Sequence, residues 1–159
     1  GTSRLYEFAA ACPEVALYPV AHVNHPFVIM KNERMVSINS CLEVDLMGQV
    51  NSETIGLRQF SGAGGQVDYV RGASLSPGGK SIMAMPSTAV HGTVSRIVPF
   101  LSQGAAVTTS RNDVDYVVTE YGIAHLKAKT LRERARGLIA IAHPSFREGL
   151  MEEFVRRFR

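Results

Sequence analysis

Several residue types and patterns are scarce or absent in this 159-residue sequence. It has no tryptophan and only two cysteines, Cys12 and Cys41, which do not form a CxxC pair. No apolar run approaches the roughly 20 residues that span a bilayer. Residues 1–11 also lack the basic region and apolar run of a signal peptide. We therefore expect a cytoplasmic protein with two reduced, buried thiols, and no membrane contact.

Metal-ligand spacings are missing as well. His22 and His25 form an HxxH pair with no acidic partner, and HExxH does not occur. The chain has no GxSxG elbow, which argues against an α/β-hydrolase. No metal site is predicted.

The composition is that of an ordinary globular protein, with 45% apolar and 19% charged residues. A chain of this length can build its own core, and no linker divides it, so residues 1–159 are predicted to be one domain. The net charge is +3. The positive charge is concentrated in residues 125–159, which contain nine Lys or Arg and four acidic residues. That stretch lacks interleaved aromatics, so we expect a solvated helical face and no nucleic-acid partner.

Local patterns predict alternating helices and strands, hence an α/β fold. The predicted helices cover residues 2–11, 24–32, 66–73, 130–142 and a last segment from Pro144. The predicted strands cover residues 14–18, 80–85, 94–98, 105–109 and 114–119, with a hairpin across 35–52. Asn24 is predicted to cap the second helix, and Thr130 with Glu133 forms a capping box for the fourth. Glu43 and Asp45, two apart on one strand face, are interpreted as structural.

A glycine-rich loop, residues 62–65, is the first candidate for a functional site. It does not fit the dinucleotide fingerprint, because Val67 stands where the last glycine is needed. Three glycines directly before a predicted helix nevertheless present backbone N–H groups at close range to a ligand. The alternatives at this stage are a tight turn without a ligand and a cradle for an anion or carbonyl.

The string from Gln59 to Tyr69 resembles the GxGGxxD[FY] loop of the acetyl-CoA hydrolase/CoA-transferase family, in its C-terminal domain. Further segments agree with the family in the same order: 23–26, 37–52, 95–99, 118–124 and 131–135. Together they cover about residues 4–150. This resemblance implies a CoA-transferase-like, NagB/RpiA-type open sheet flanked by helices.

The resemblance also implies a function, which is transfer of coenzyme A between an acyl-CoA, such as acetyl- or 4-hydroxybutyryl-CoA, and a small carboxylic acid. Coenzyme A is the substrate, and no cofactor is expected. The family nucleophile is a glutamate that precedes this domain and has no counterpart here, so a preceding N-terminal domain is expected as a partner. Family members commonly form homo-oligomers.

By the same resemblance, the Gly65 N–H donates to the reaction's oxyanion, and Glu120 is the second glutamate of the site. Asn24 matches the residue that lies against the CoA arm. The binding loop also includes Gly62, Gly64 and Gln66. Two alternatives remain open, an acyl-CoA hydrolase and a CoA-binding module without catalysis.

Overall fold

A computed structural model describes residues 1–158, and in that range short strands alternate with helices. The helices are α1 (Ser3–Ala11), α2 (Val20–Val23), α3 (Pro26–Ile29), α4 (Gln66–Leu75), α5 (Leu131–Ala140) and α6 (Pro144–Arg157). The strands are β1 (Val36–Asn39), β2 (Glu43–Asp45), β3 (Val50–Asn51), β4 (Thr54–Ile55), β5 (Arg58–Gln59), β6 (Lys80–Ala84), β7 (Thr88–Ala89), β8 (Val94–Ser95), β9 (Ile97–Val98), β10 (Tyr116–Thr119) and β11 (Gly122–His125). The predicted mixed α/β class is confirmed.

The main sheet has the strand order β1-β6-β10-β11. Strands β1, β6 and β10 are parallel, and β11 returns antiparallel to β10. Helix α4 connects the β1 region to β6 and packs against both strands. A crossover helix runs back along the sheet, so the start of α4 lies at the edge where β1 and β6 end. This carboxyl edge therefore collects the glycine loop and the segments that follow β6 and β10.

A smaller sheet has the order β3-β2-β9, and the hairpin predicted across 35–52 is confined to β2 and β3, because residues 36–39 form β1 of the main sheet. The Asp45 carboxylate closes its turn by accepting from the N–H groups of Met47 and Gln49, each at 2.9 Å. Glu43 accepts from the Asn51 amide at 3.0 Å and from the Ser102 hydroxyl at 2.9 Å. Glu43 also accepts from the Ser102 N–H at 3.0 Å, so both carboxylates hold backbone groups, in the structural role expected for them.

The core lies between the main sheet, the small sheet and the last two helices. Its large, fully buried side chains come from both sheets, from the residues directly after β2 and β11, and from α4 and α5: Val44, Leu46, Val50, Val70, Met83, Ile97, Val117, Leu126 and Leu138. Both halves of the capping box at Thr130 and Glu133 form as predicted. Helix α6 buries Leu150 and Phe154, with Phe146 and Phe158 packed beside them, which confirms its apolar stripe.

Three predicted elements are wrong. Residues 14–18 form no strand, because they have no pairing partner among the described residues. Within 105–109, only Thr109 makes an isolated bridge, to Val50. The helix predicted over 24–32 is confined to α3, and its N-cap is His25, whose Nδ1 accepts from the Phe27 N–H at 3.3 Å. Asn24 instead ends α2.

Two predictions about single side chains also need correction. Cys41 is buried, and burial raises the pKa of its thiol to about 12, but Cys12 is only half-buried. Arg134 does not belong to a solvated basic face, since it is buried and donates to the carbonyl oxygens of Arg111 and Lys129. Arg159, also counted in that face, lies outside the described residues.

Gly72 sets the spacing between α3 and α4. A β-carbon there would collide with the Ile29 side chain. We expect Gly72→Ala to lower the free energy of unfolding by about 1–3 kcal/mol, because the overpacked contact outweighs the gain in helix propensity. Gly149→Ala in α6 is the matched control, since a β-carbon there meets nothing within 4 Å. Denaturant unfolding measures both, and equal stabilisation of the two variants would contradict the close contact.

Candidate active site

The glycine loop leads directly into α4. Gly65 is the N-cap residue, with φ −92° and ψ 9°, and provides no side chain to cap the helix. Within residues 1–158, the N–H groups of Gly62, Ala63, Gly64 and Gly65 meet no protein acceptor. Gly64 has φ +56°, a left-handed conformation that glycine adopts without steric cost. The loop thus presents free donors at the positive end of a helix, a suitable arrangement for binding negative charge.

Asn24 lies directly against this loop. A β-carbon built on Gly65 would be 2.6 Å from Nδ2 of Asn24 and 3.3 Å from Cδ2 of Tyr69. The structure therefore brings two of the predicted site residues together. The absence of a side chain at Gly65 makes room for the Asn24 amide, and the half-buried amide borders a shallow depression lined also by Val20, Pro26 and Asp68.

Gln66 follows Gly65 but points inward. Its side chain is buried, and its Nε2 donates to the hydroxyls of Ser52 at 2.8 Å and Thr109 at 2.9 Å. These bonds attach the start of α4 to the β3 region. The Gln66 side chain therefore fixes the position of the loop, and its amide donors are already used within the fold.

Glu120 stands in the two-residue turn between β10 and β11, at the strand end predicted for it. The turn is held by Thr119, whose hydroxyl donates to the Ile141 carbonyl at 2.6 Å and accepts from the Tyr121 N–H at 3.1 Å. Gly122, with φ +137°, completes the reversal of the chain. The Glu120 carboxylate borders an apolar depression formed by the ends of β6 and β10, which includes Met85.

Ser87 binds both oxygens of Glu120. Its N–H donates to Oε2 at 2.8 Å, and its hydroxyl donates to Oε1 at 2.6 Å. The pKa of the Glu120 carboxyl lies below its usual value, chiefly because of the Ser87 hydroxyl; desolvation works in the opposite direction, and the positive field of His143 adds a smaller lowering. Glu120 is therefore held as a carboxylate.

Sequence reasoning missed both Ser87 and His143. Ser87 is fully buried and lies 33 residues from Glu120 in the sequence. A serine just after a strand, near the end of a second strand that carries a functional glutamate, is the signal that could have found it. His143 caps α6 and packs edge-on against Tyr121, which in turn lies under the guanidinium of Arg147.

The glycine loop with Asn24 and the Ser87–Glu120 pair share the carboxyl edge of the main sheet. Carboxyl edges of parallel strands are where α/β folds build their sites. One cluster offers hydrogen-bond donors for a developing negative charge, and the other offers a fixed carboxylate beside an apolar surface. Such a combination can bind a thioester and stabilise an oxyanion.

Two other features bear on function. Among residues 1–158, no three His, Cys, Asp or Glu side chains gather as a group that could hold a metal ion. None of the helices in that range has the length and apolarity needed to cross a membrane.

Comparison with known proteins identifies the family. The acetyl-CoA hydrolase/transferase C-terminal domain family matches residues 1–154. The chain is 69% identical to the 4-hydroxybutyrate coenzyme A transferase of Clostridium kluyveri over 99% of this chain and 37% of that protein. It is 57% identical to the succinyl-CoA:cyclohexane-1-carboxylate CoA transferase of Geobacter metallireducens over 96% of this chain and 35% of that protein.

A solved structure agrees with these sequence matches. The 4-hydroxybutyrate CoA-transferase of Porphyromonas gingivalis is 56% identical, with a TM-score of 0.83 over 99% of this chain and 36% of that one. The chain belongs to the acetyl-CoA hydrolase/transferase family, as its C-terminal domain, which confirms the resemblance seen in the sequence. It spans little more than a third of the length of these relatives.

Proposed function

We propose that this chain is the C-terminal domain of a CoA-transferase that moves coenzyme A from an acyl-CoA, such as acetyl- or 4-hydroxybutyryl-CoA, to a small carboxylic acid. The observation that carries the proposal is the carboxyl edge of the main sheet, where free loop donors beside Asn24 lie at the same edge as the fixed Glu120 carboxylate. The names of the 69% and 57% identical relatives support transfer. The parallel strands with crossover helix α4 support a NagB/RpiA-type sheet.

The proposed reaction is covalent. A glutamate carboxylate from a preceding domain attacks the thioester carbonyl, and the tetrahedral oxyanion collapses to an acyl-glutamyl anhydride and CoA thiolate. The thiolate attacks the glutamyl carbonyl, releases the first carboxylate and leaves a glutamyl-CoA thioester. The acceptor carboxylate then reverses these steps. No cofactor or metal is needed.

In this reaction the Gly65 N–H donates to the oxyanion, and Asn24 lies along the CoA arm together with Gly62 and Gly64. Glu120 positions the thioester, and its own carboxylate is held in place by the two hydrogen bonds from Ser87. A homo-oligomeric, cytoplasmic enzyme is part of the proposal.

The proposal is tested by assaying the full-length protein with a panel of acyl-CoAs, with and without acceptor acids. Rapid transfer of CoA that requires an acceptor acid supports a transferase. CoA release that is equally fast without an acceptor indicates a hydrolase, the other activity in the family description. CoA binding without either reaction would indicate a non-catalytic module.

The isolated chain is expected to fold but to show no transfer. Its buried core supports a cooperative unfolding transition, whereas the proposed nucleophile lies in another domain. Circular dichroism follows the folding, and transfer from acetyl-CoA to a short carboxylate follows the activity. Turnover equal to that of the full-length protein would make a glutamate of this chain the nucleophile, with Glu120 the first to replace.

A further inference from the structure

Backbone hydrogen bonds of Ser87 and of the residues just before it fix the Ser87–Glu120 contact. Ser87 is completely buried, and its carbonyl accepts from the Arg96 N–H at 2.9 Å. Two residues earlier, the Met85 N–H donates to the Val118 carbonyl at 3.1 Å, which joins the end of β6 to β10. The two donors of Ser87 are therefore positioned before any substrate arrives.

Such a contact weakens Glu120 as a base. One donor meets each carboxylate oxygen, so the anion is stabilised relative to the protonated acid. His143, at the start of α6, acts in the same direction by its charge. A carboxylate of low pKa removes a proton from water poorly.

Water and the acceptor acid differ in that requirement. Hydrolysis of an acyl-CoA or glutamyl-CoA thioester adds a water oxygen to the carbonyl carbon, and that water must lose a proton. A base accepts the proton, the carbon–sulfur bond breaks, and the proton passes to the departing thiolate, giving an acid and CoA thiol. An acceptor carboxylate attacks as an anion with no proton to lose, so transfer does not need a base.

We propose that Ser87 is a positioning residue that favours transfer over hydrolysis by keeping Glu120 hydrogen-bonded and weakly basic. This inference rests on the proposed transferase function and adds to it the control of reaction with water. In this proposal, one buried serine influences whether the thioester reacts with water or with the acceptor carboxylate.

The test compares Ser87→Ala with the wild type in the full-length protein, using acetyl-CoA with and without a short carboxylate. The ratio of hydrolysis to transfer is expected to rise about tenfold or more, because a freed carboxylate becomes a better base. The acid limb of the kcat profile is expected to move to higher pH, since the depressed pKa of Glu120 returns toward its usual value.

Ser102→Ala provides a matched control. Ser102 donates from its N–H and its hydroxyl to the two oxygens of Glu43, at 3.0 and 2.9 Å, in the same way that Ser87 binds Glu120. We expect this variant to leave the ratio unchanged. Ser87→Cys, of similar volume and with a weaker donor, gives an intermediate ratio and serves if the alanine variant does not fold.

Different results separate this inference from the proposed function. An unchanged ratio and pH profile in both Ser87 variants overturns the role of Ser87. If Glu120→Gln still slows transfer in that case, the transferase proposal stands. Absence of any transfer by the wild-type protein overturns the transferase proposal itself, whatever the Ser87 variants do to hydrolysis.

Discussion

Gly65→Val is expected to lower kcat of the full-length protein by about 10²–10³-fold, the usual loss when one oxyanion donor is removed. The valine β-carbon would lie 2.6 Å from Nδ2 of Asn24, so the Asn24 amide must move and the branched side chain covers the loop N–H groups. The thermal midpoint should change little, because Gly65 is half-buried at the surface and has an ordinary φ.

Gly149→Val, in α6 and outside the candidate site, is the control. Gly149 is exposed, and a β-carbon there meets nothing within 4 Å. Steady-state kinetics and thermal unfolding of both variants test whether Gly65 acts in the reaction or only in a tight turn. Wild-type turnover in Gly65→Val would remove Gly65 from the site, whereas severe unfolding would favour a tight turn with no ligand.

Glu120→Gln is expected to reduce kcat by about 10²-fold while the Kd for CoA stays nearly constant. The amide keeps the size of the side chain but loses the negative charge. It also places an NH₂ donor against the N–H or hydroxyl of Ser87, where a carboxylate oxygen now accepts. Kinetics and equilibrium binding of CoA separate the two effects.

The pH dependence of the wild type follows from the same contact. The pKa of Glu120 lies below its usual value, so the carboxylate persists as the pH falls past the usual glutamate range, and activity is lost only when that lower pKa is reached. Glu152→Gln, an exposed position on α6, is the control and should leave kcat and the pH profile unchanged. Full activity of Glu120→Gln would mean that Glu120 is a surface carboxylate with no role in the reaction.

Local sequence signals predicted the elements whose contacts are local. The capping box at Thr130 needs only residues within one helical turn, and it forms as expected. The strand predicted over residues 14–18 failed because a strand also needs a partner, which local alternation cannot supply. The cap assigned to Asn24 failed for a different reason, since the next residue, His25, can accept the same kind of hydrogen bond.

Part of the candidate site was also predictable, because local sequence signals mark it. Gly65 and Glu120 stand at the ends of regular elements, and family motifs mark both. Ser87 carries no local motif, and its contact with Glu120 joins two strands that pair only in the folded sheet. The inward direction of Gln66 likewise depends on Thr109, 43 residues away.

The order of strands in the main sheet has a consequence for folding kinetics. Strand β10 pairs in parallel with β6, so this pairing must close a long loop before it gains any stability. Ser87 can reach Glu120 only after that pairing is complete. We therefore expect the hydrogen bonds to Glu120 to form late in refolding, after α4 and α5, so that protection of the Ser87 amide from hydrogen exchange reports assembly of the whole sheet.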